Sequence, residues 1–494
     1  MIAAPLPALQ IVLPLVAAPL CMLLRRGNLA WGLSLIVSLA ALLIAALLLN
    51  QVLETGPISY AMGDWAPPWG IEYRVDVLNA FVLLIVAAVG AVVLPYARRS
   101  VAHELPESLH SGFYTAFLLC LTGLLGVTIT GDAFNLFVFL EISSLSSYIL
   151  ISMGRNRRAL AAAFQYLIMG TIGATFIVIG IGLLYMVTGT LNMADLASRI
   201  PALGENRTVI AAFGFLAVGA TLKLALFPLH IWLPNAYTYA PSAVTAFLAA
   251  TATKVSIYIL LRFFFTVFGP AFAIEELTLG TLIIPLSIIA ILVCSTVAIY
   301  QGNVKRMLAY SSVAQVGYMM LGIGFDTVNG LTGGIAHLFN HAATKGGLFL
   351  ALGCIVLRLG SCRLDDLAGL NKRMPLTAFS IVIGGLSLIG VPLTAGFISK
   401  WYLVQAAVER DFWIAAVAIL FGSLLAVIYV WRVVEVMYLR PAPEGAAGAR
   451  SEAPLSMLIP TWILAAASIY FGVETSLNVG VARAAAQFLL GVQG

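Results

Sequence analysis

Charge is scarce in this chain. Lysine, arginine, aspartate and glutamate make up 10% of its 494 residues, and 61% are hydrophobic. That balance excludes a soluble globular core and matches a polytopic membrane protein. Cysteine is also sparse. Cys21, Cys120, Cys294, Cys354 and Cys362 form no C-x-x-C pair and show no metal-ligand spacing. No iron–sulfur site and no disulfide framework are therefore expected, and most of these cysteines read as small hydrophobes. The nucleotide loop G-x-x-x-x-G-K-[ST], HExxH, a dinucleotide fingerprint and a nucleophile–base set are all missing. Direct ATP use and a bound cofactor are not expected, so energy must come from an ion gradient or a partner. The net charge of +5 sits mostly in loops and points to no nucleic acid. The N-terminus lacks a basic n-region, so residues 5–24 read as a first span, not a cleaved signal.

What remains is apolar run after apolar run. Each is long enough to cross a bilayer, which takes about 20 residues. The expected spans are 5–24, 29–50, 77–97, 111–130, 133–153, 160–188, 208–237, 242–267, 277–300, 304–325, 328–357, 376–407, 411–437 and 455–473. Residues 476–492 suit an amphipathic helix, interfacial or packed on a partner. Alternate loops carry the basic residues, including Arg25, Arg26, Arg98, Arg99, Arg155, Arg157, Arg158, Arg440 and Arg450. The intervening loops are acidic, with Glu54, Asp64, Glu72, Asp195, Glu205, Glu275 and Glu276. The positive-inside bias then places both termini outside a cell (inner) membrane.

Two of these spans contain a disruptive proline. The seventh reads LKLALFPLHIWLPNAY, with Pro228, and the twelfth reads LIGVPLTAGFISKW, with Pro392. Proline removes a backbone donor, and the freed groups are tolerated at membrane depth only inside protein or beside water. Counting back from each proline to the start of the fourth or ninth span gives nearly equal lengths. The spacing predicts two five-helix units, which an odd helix number sets in opposite orientation, as in inverted-repeat transporters. The expected organisation is an N-terminal three-helix segment (1–110), a first repeat (111–267), a second inverted repeat (268–440) and a C-terminal helix with its tail (441–494). The alternative is that both prolines only kink helices for packing.

Ionisable residues inside the spans carry the functional signal. Glu141, Lys223, Lys254, Lys345 and Lys400 all fall in apolar segments. A charge at mid-bilayer costs about 3 to more than 10 kcal/mol, and such residues mark ion pathways. Glu141 can pair with Lys223; its alternative is a protonated structural carboxylate. Lysine shifts its proton affinity readily on burial and can relay protons. His230, just past Pro228, could bridge Lys223 and Lys254 through water, or could cap freed carbonyls. His337, His341 and Lys345 recur every four residues and so share one helical face. Histidine suits proton relay near neutral pH; the alternative is a stripe of interhelical hydrogen bonds. Asp132 reads as a helix cap. Arg432 and Glu435 read as a local ion pair near the interface. Lys305 and Arg306 read as positive-inside anchors, with proton uptake or lateral coupling as the alternative.

The segments GDAFNLFVFLEISSLSSYIL, KLALFPLHIWLPNAYTYAPSAVTAFLAATATK, GNVKRMLAYSSVAQVGYMMLGIG and HLFNHAATKGGLFL resemble the antiporter-like proton-pumping subunits. These belong to respiratory complex I, membrane-bound hydrogenases and multisubunit Mrp cation/proton antiporters. LYMVTGTLNMADLA and the chain length are most similar to the D-type subunits of Mrp cation/proton antiporters. The resemblance implies a fourteen-helix fold and a glutamate in the fifth span and a lysine in the seventh, matching Glu141 and Lys223. It further implies a lysine in the eighth span, a histidine in the eleventh and a lysine in the twelfth. These match Lys254, His337 or His341, and Lys400.

The expected protein is thus an all-α polytopic membrane subunit that moves protons through a Glu/Lys/His chain. Its expected partners are other membrane subunits, protons, Na+ and the lipid bilayer. It is not expected to be an enzyme. A proton-pumping subunit of a redox-driven complex is the alternative, and a scaffold whose charges only hold helices together is a third reading.

Overall fold

The computed structural model describes residues 5–204, 206–272, 279–442 and 451–492. Glu205, Glu275, Glu276 and Arg450, and the first residues of the ninth expected span, lie outside the described residues. The first part of the chain forms α1 (Leu6–Leu23), α2 (Gly27–Thr55), α3 (Val77–Glu104), α4 (His110–Ile129), α5 (Ala133–Ser152) and α6 (Arg158–Thr188). Then come a short surface helix α7 (Met193–Arg199), α8 (Arg207–Leu224), α9 (Trp232–Tyr239) and α10 (Ser242–Leu261). The second part forms α11 (Leu279–Ile299), α12 (Val304–Gly324), α13 (Val328–Leu359), a single turn α14 (Leu370–Arg373), α15 (Pro375–Ile389) and α16 (Ala395–Glu409). The chain ends in α17 (Trp413–Tyr438), α18 (Leu455–Val473) and α19 (Val481–Leu490).

Twelve helices among the described residues are long and apolar enough to cross a membrane. Hydropathy locates their ends closely: the span expected at 133–153 is α5, and that at 455–473 is α18 with the same bounds. Among the described residues the strands form one two-stranded antiparallel hairpin, β1 (Ile58–Ala61) with β2 (Glu72–Val75), which hydropathy did not predict. It is pinned to the α4–α5 junction, where Tyr73 bridges Thr130 and Gly131 donates its N–H to the Glu72 carbonyl at 2.8 Å.

Burial sorts the helices into a centre and a rim. The segment Ser242–Val267 is 94% buried over its most apolar window, and α3, α4 and α13 are also largely enclosed. Helices α2, α6 and α17 turn large apolar residues outward, such as Leu43, Phe164 and Val417. In a bilayer such exposure needs no protein partner, because lipid tails are as apolar as leucine.

Both proline-marked spans are broken. Helix α8 stops at Leu224, where Ala225 turns left-handed (φ 60°), and α9 begins only at Trp232. Helix α15 stops at Ile389, where Gly390 turns left-handed (φ 86°), and α16 starts at Ala395. Beyond that break the backbones press together. A Cβ at Gly396 would lie 1.8 Å from the Ser387 carbonyl oxygen, so only glycine fits there.

Candidate functional site

The break after α8 leaves Lys223 in the last helical turn, pointing across to α5. Asp132 caps α5 as expected, accepting from the Asn135 N–H at 2.7 Å. Two turns further on, Glu141 Oε1 lies 3.4 Å from Lys223 Nζ. The same ammonium donates to Ser144 Oγ at 2.8 Å. Ser144 gives its own proton to the Leu140 carbonyl, which leaves a lone pair for the lysine. The lysine side chain is 2% exposed and the glutamate 25%, so the pair is open on its acidic side. An aromatic stack holds the broken end. Trp232 Nε1 donates to the freed Leu222 carbonyl at 3.1 Å, and its ring lies flat on Tyr166 with centroids 3.9 Å apart.

Lys254 sits in the most enclosed helix, with no exposed surface. Its Nζ donates to the Ala249 carbonyl and to Thr253 Oγ1 at 3.4 Å. Across from it, α13 carries His337, His341 and Lys345 on one buried face. The two imidazoles stack at 5.8 Å with 13° between planes. His337 is held from both sides: Nδ1 pairs with Ser399 Oγ at 2.7 Å and Nε2 with Gln315 Oε1 at 2.8 Å. His341 has neither ring nitrogen bonded to a described residue. Lys345 stands one turn further along the same buried face of α13. Lys345 donates to the Leu308 carbonyl at 2.8 Å and to Ser311 Oγ.

The second break builds the site of Lys400. Its Nζ donates to the Leu388 and Ile389 carbonyls at 2.9 and 3.0 Å and to Ser423 Oγ at 2.9 Å. Those carbonyls are the orphaned C-terminal acceptors of α15, and the positive charge lies at the negative end of its dipole. The ammonium also lies 4.6 Å from the Tyr318 ring centroid, and that ring is 6.0 Å from His337. A line of close polar and aromatic groups thus runs from Lys400 through Tyr318 and His337 to His341. Helix α13 clamps the break itself, since Asn340 donates to the Ala395 carbonyl at 2.7 Å.

His230 lies inside the break between α8 and α9, with the rings of Phe227 and Tyr310 at 5.3 and 6.3 Å. Two expectations need correction, those for Glu435 and Lys305. Glu435 pairs with Arg440 at 3.3 Å, not with Arg432, because the chain turns back just past the end of α17. Lys305 is no surface anchor: it is buried, and donates to Ser242 Oγ at 3.2 Å.

Other polar groups went unread in the sequence. The Glu104 carboxylate accepts from the Ser242 N–H at 3.1 Å and from Ser100 Oγ at 2.7 Å, which brings it into the Lys305 cluster. Arg262 and Asp76 form a buried pair at 2.8 Å, and Glu72, read only as a loop acid, is buried and accepts from Asn192 Nδ2 at 2.8 Å. Arg262 stands in the apolar run ILLRFFF, a signal of the same kind as the four lysines. Asp76 precedes its helix by one residue and reads as a loop until the fold closes. Among the described residues no group of His, Cys, Asp and Glu could hold a metal ion, and all five cysteines are buried and free.

Comparison with known proteins puts this arrangement in a family. The model of the NADH:quinone oxidoreductase/Mrp antiporter transmembrane family matches residues 130–426, a stretch that contains Glu141, all four membrane lysines and both histidines of α13. The N subunit of NADH-quinone oxidoreductase from Desulforudis audaxviator is 43% identical over 483 residues, covering 94% of this chain and 95% of that one. The D subunit of a Na(+)/H(+) antiporter from Alkalihalophilus pseudofirmus is 34% identical over 387 residues, covering 78% and 76%. A chain of the Mrp complex from Dietzia superposes with a TM-score of 0.89 at 25% identity, covering 99% of this chain and 98% of that one. A chain of the membrane-bound sulfane sulfur reductase, an archaeal respiratory membrane complex, also reaches 0.89, at 32% identity and with 98% and 97% covered. This chain belongs to the NADH:quinone oxidoreductase/Mrp antiporter transmembrane family.

Proposed function

We propose that this chain is the proton-translocating membrane subunit of a multisubunit complex, and that the complex is a monovalent cation (Na+)/proton antiporter. The coarser part rests on family: the chain is an antiporter-like, multi-pass membrane subunit of an Mrp or complex I-like assembly, with other membrane subunits as partners. The observation that carries proton translocation is the series of buried proton-bearing side chains, Lys223 with Glu141, then Lys254, His341, His337 and Lys400; the similarity to a Na(+)/H(+) antiporter D subunit supports the choice of an antiporter. In this reading a proton reaches Glu141 on its half-open side and exchanges with Lys223. It passes to Lys254 and to the two imidazoles, and leaves by way of Lys400. Lys345 sets the charge felt by His341, and Lys305 serves uptake from the basic side of the membrane. Helices α4–α10 and α11–α17 act as the two inverted units, and both termini face outside the cell membrane.

A redox-driven complex is the second reading, favoured by the 43% identity to a protein named as an NADH-quinone oxidoreductase subunit. The route within this chain is the same in both. Purification of the tagged complex in mild detergent separates them: only small membrane companions support the antiporter, and iron–sulfur companions overturn it.

Lys223→Arg tests the route itself. Arginine keeps the charge but does not release its proton near neutral pH. Transport by the assembled complex should be lost while protein levels stay normal. Wild-type transport in that variant would make Lys223 a structural charge and sink the proposal.

A further inference from the structure

We propose that the arginine-lined cavity between the ends of α1, α2, α3 and α4 binds the phosphate group of an anionic phospholipid. The cavity is an open cleft of about 770 Å³, lined by the exposed Arg25, Arg26 and Arg98 and by His110, with Tyr114 beside them and Glu107 as its one acid. Its size falls in the range of about 300–1,000 Å³ usual for ligand pockets. None of the three arginines has an ion pair among the described residues, although each is a strong donor fork for phosphate.

The lining is held in place. The Arg98 guanidinium lies 4.6 Å above the Trp31 ring, and Trp31 is itself fixed by donating Nε1–H to the Leu94 carbonyl at 2.9 Å. Arg25, at the turn between α1 and α2, has a left-handed backbone (φ 50°), which is uncommon for a non-glycine residue. Gly27 lets the start of α2 press on α4, since a Cβ there would lie 2.7 Å from His110 Cβ. The start of α2 also has no side-chain cap, and so adds free N–H groups to the guanidinium cluster.

The source of the phosphate follows from the rim. Leu23 is 74% exposed and Leu29 51%, and they continue into the outward apolar faces of α1 and α2. A free phosphate has no use for such a rim. A phospholipid sets its headgroup among the arginines and its acyl chains along those leucines.

Native mass spectrometry of the full-length chain in maltoside tests this, with phosphatidylglycerol, phosphatidylcholine and inorganic phosphate as probes. Wild type should prefer phosphatidylglycerol over phosphatidylcholine by about tenfold or more, as charge-assisted guanidinium–phosphate bonds imply. Millimolar inorganic phosphate should not displace the lipid. The double variant Arg26→Gln/Arg98→Gln should lose the preference. Arg99→Gln/Arg155→Gln, which removes the same charge elsewhere, should keep it. No preference in wild type overturns the proposal whatever the variants do, as does equal loss in both variants. Displacement of the lipid by inorganic phosphate would make this a free-phosphate site and overturn the lipid assignment.

Discussion

Each broken helix places a lysine beside its break, yet the two ammonium groups are held by different chemistry. Lys223 faces a carboxylate, Glu141, at 3.4 Å and a serine at 2.8 Å. Lys400 faces two helix-terminal carbonyls, a serine and an aromatic face, with no carboxylate among its described partners. A mobile charge balances the first lysine and fixed dipoles balance the second. When Lys223 gives up a proton, a carboxylate is left that can take one. When Lys400 gives one up, the carbonyls keep pointing at a neutral amine that still donates to them. A break in a membrane helix is therefore no single device. After α8 it frees the lysine to reach another helix, and after α15 it supplies the acceptors that the lysine caps.

Substitutions can erase this difference or enlarge it. Glu141→Gln gives Lys223 neutral partners only, like those of Lys400. Proton transport in vesicles holding the assembled complex should fall by about 100-fold, the low end for loss of a positioned proton carrier. Near-normal transport there would mean that the two sites do the same work. Lys400→Met removes the donors to Leu388 and Ile389 and should lower the stability of the complex by about 2 kcal/mol, the cost of leaving buried acceptors unpaired. Thermal unfolding in detergent measures this, and an unchanged midpoint would show that the break is capped in another way. Ser423→Asp sharpens the contrast from the other side, because it offers Lys400 a carboxylate from α17. The fold should hold, and transport should slow by roughly tenfold as the proton is trapped in a pair. Faster transport would contradict the idea that fixed dipoles suit this end of the route.

The smallest effects separate the two stacked histidines. His337→Asn breaks bonds that tie α13 to α12 and α16, and should cost about 1–2 kcal/mol of stability. His341→Asn removes a ring with no described hydrogen bond, and should change stability by less than about 0.5 kcal/mol while slowing transport. Equal stability losses in the two variants would mean that His341 is as firmly held as its neighbour.

Much of the architecture is local in origin, and so it was legible. A residue's hydropathy and its neighbours' decide whether a run enters lipid, which is why α5 and α18 end where the apolar runs end. Pro228 and Pro392 cannot donate a backbone hydrogen bond, so the breaks near them were legible too, though each helix stops a few residues earlier, where Ala225 and Gly390 turn left-handed. A charge stranded in an apolar run is visible without any structure, and that exposed Glu141, the four lysines and the face of α13. The pairing of Glu141 with Lys223 was anticipated, but most other partners were decided only by the tertiary structure. Arg262 and Asp76 stand 186 residues apart in the chain, and Lys305 and Ser242 63 apart. No period or propensity links such positions, because the energy of an ion pair depends on distance through space. The hairpin β1–β2 was hidden for the same reason, since its place is set by a bridge to Thr130. The sequence by itself therefore determined that this chain crosses a membrane many times, where its helices break and which buried groups can carry charge. Apart from the pair of Glu141 and Lys223, which group balances each of those charges was decided by the packing of distant helices, because that balance exists only once they touch.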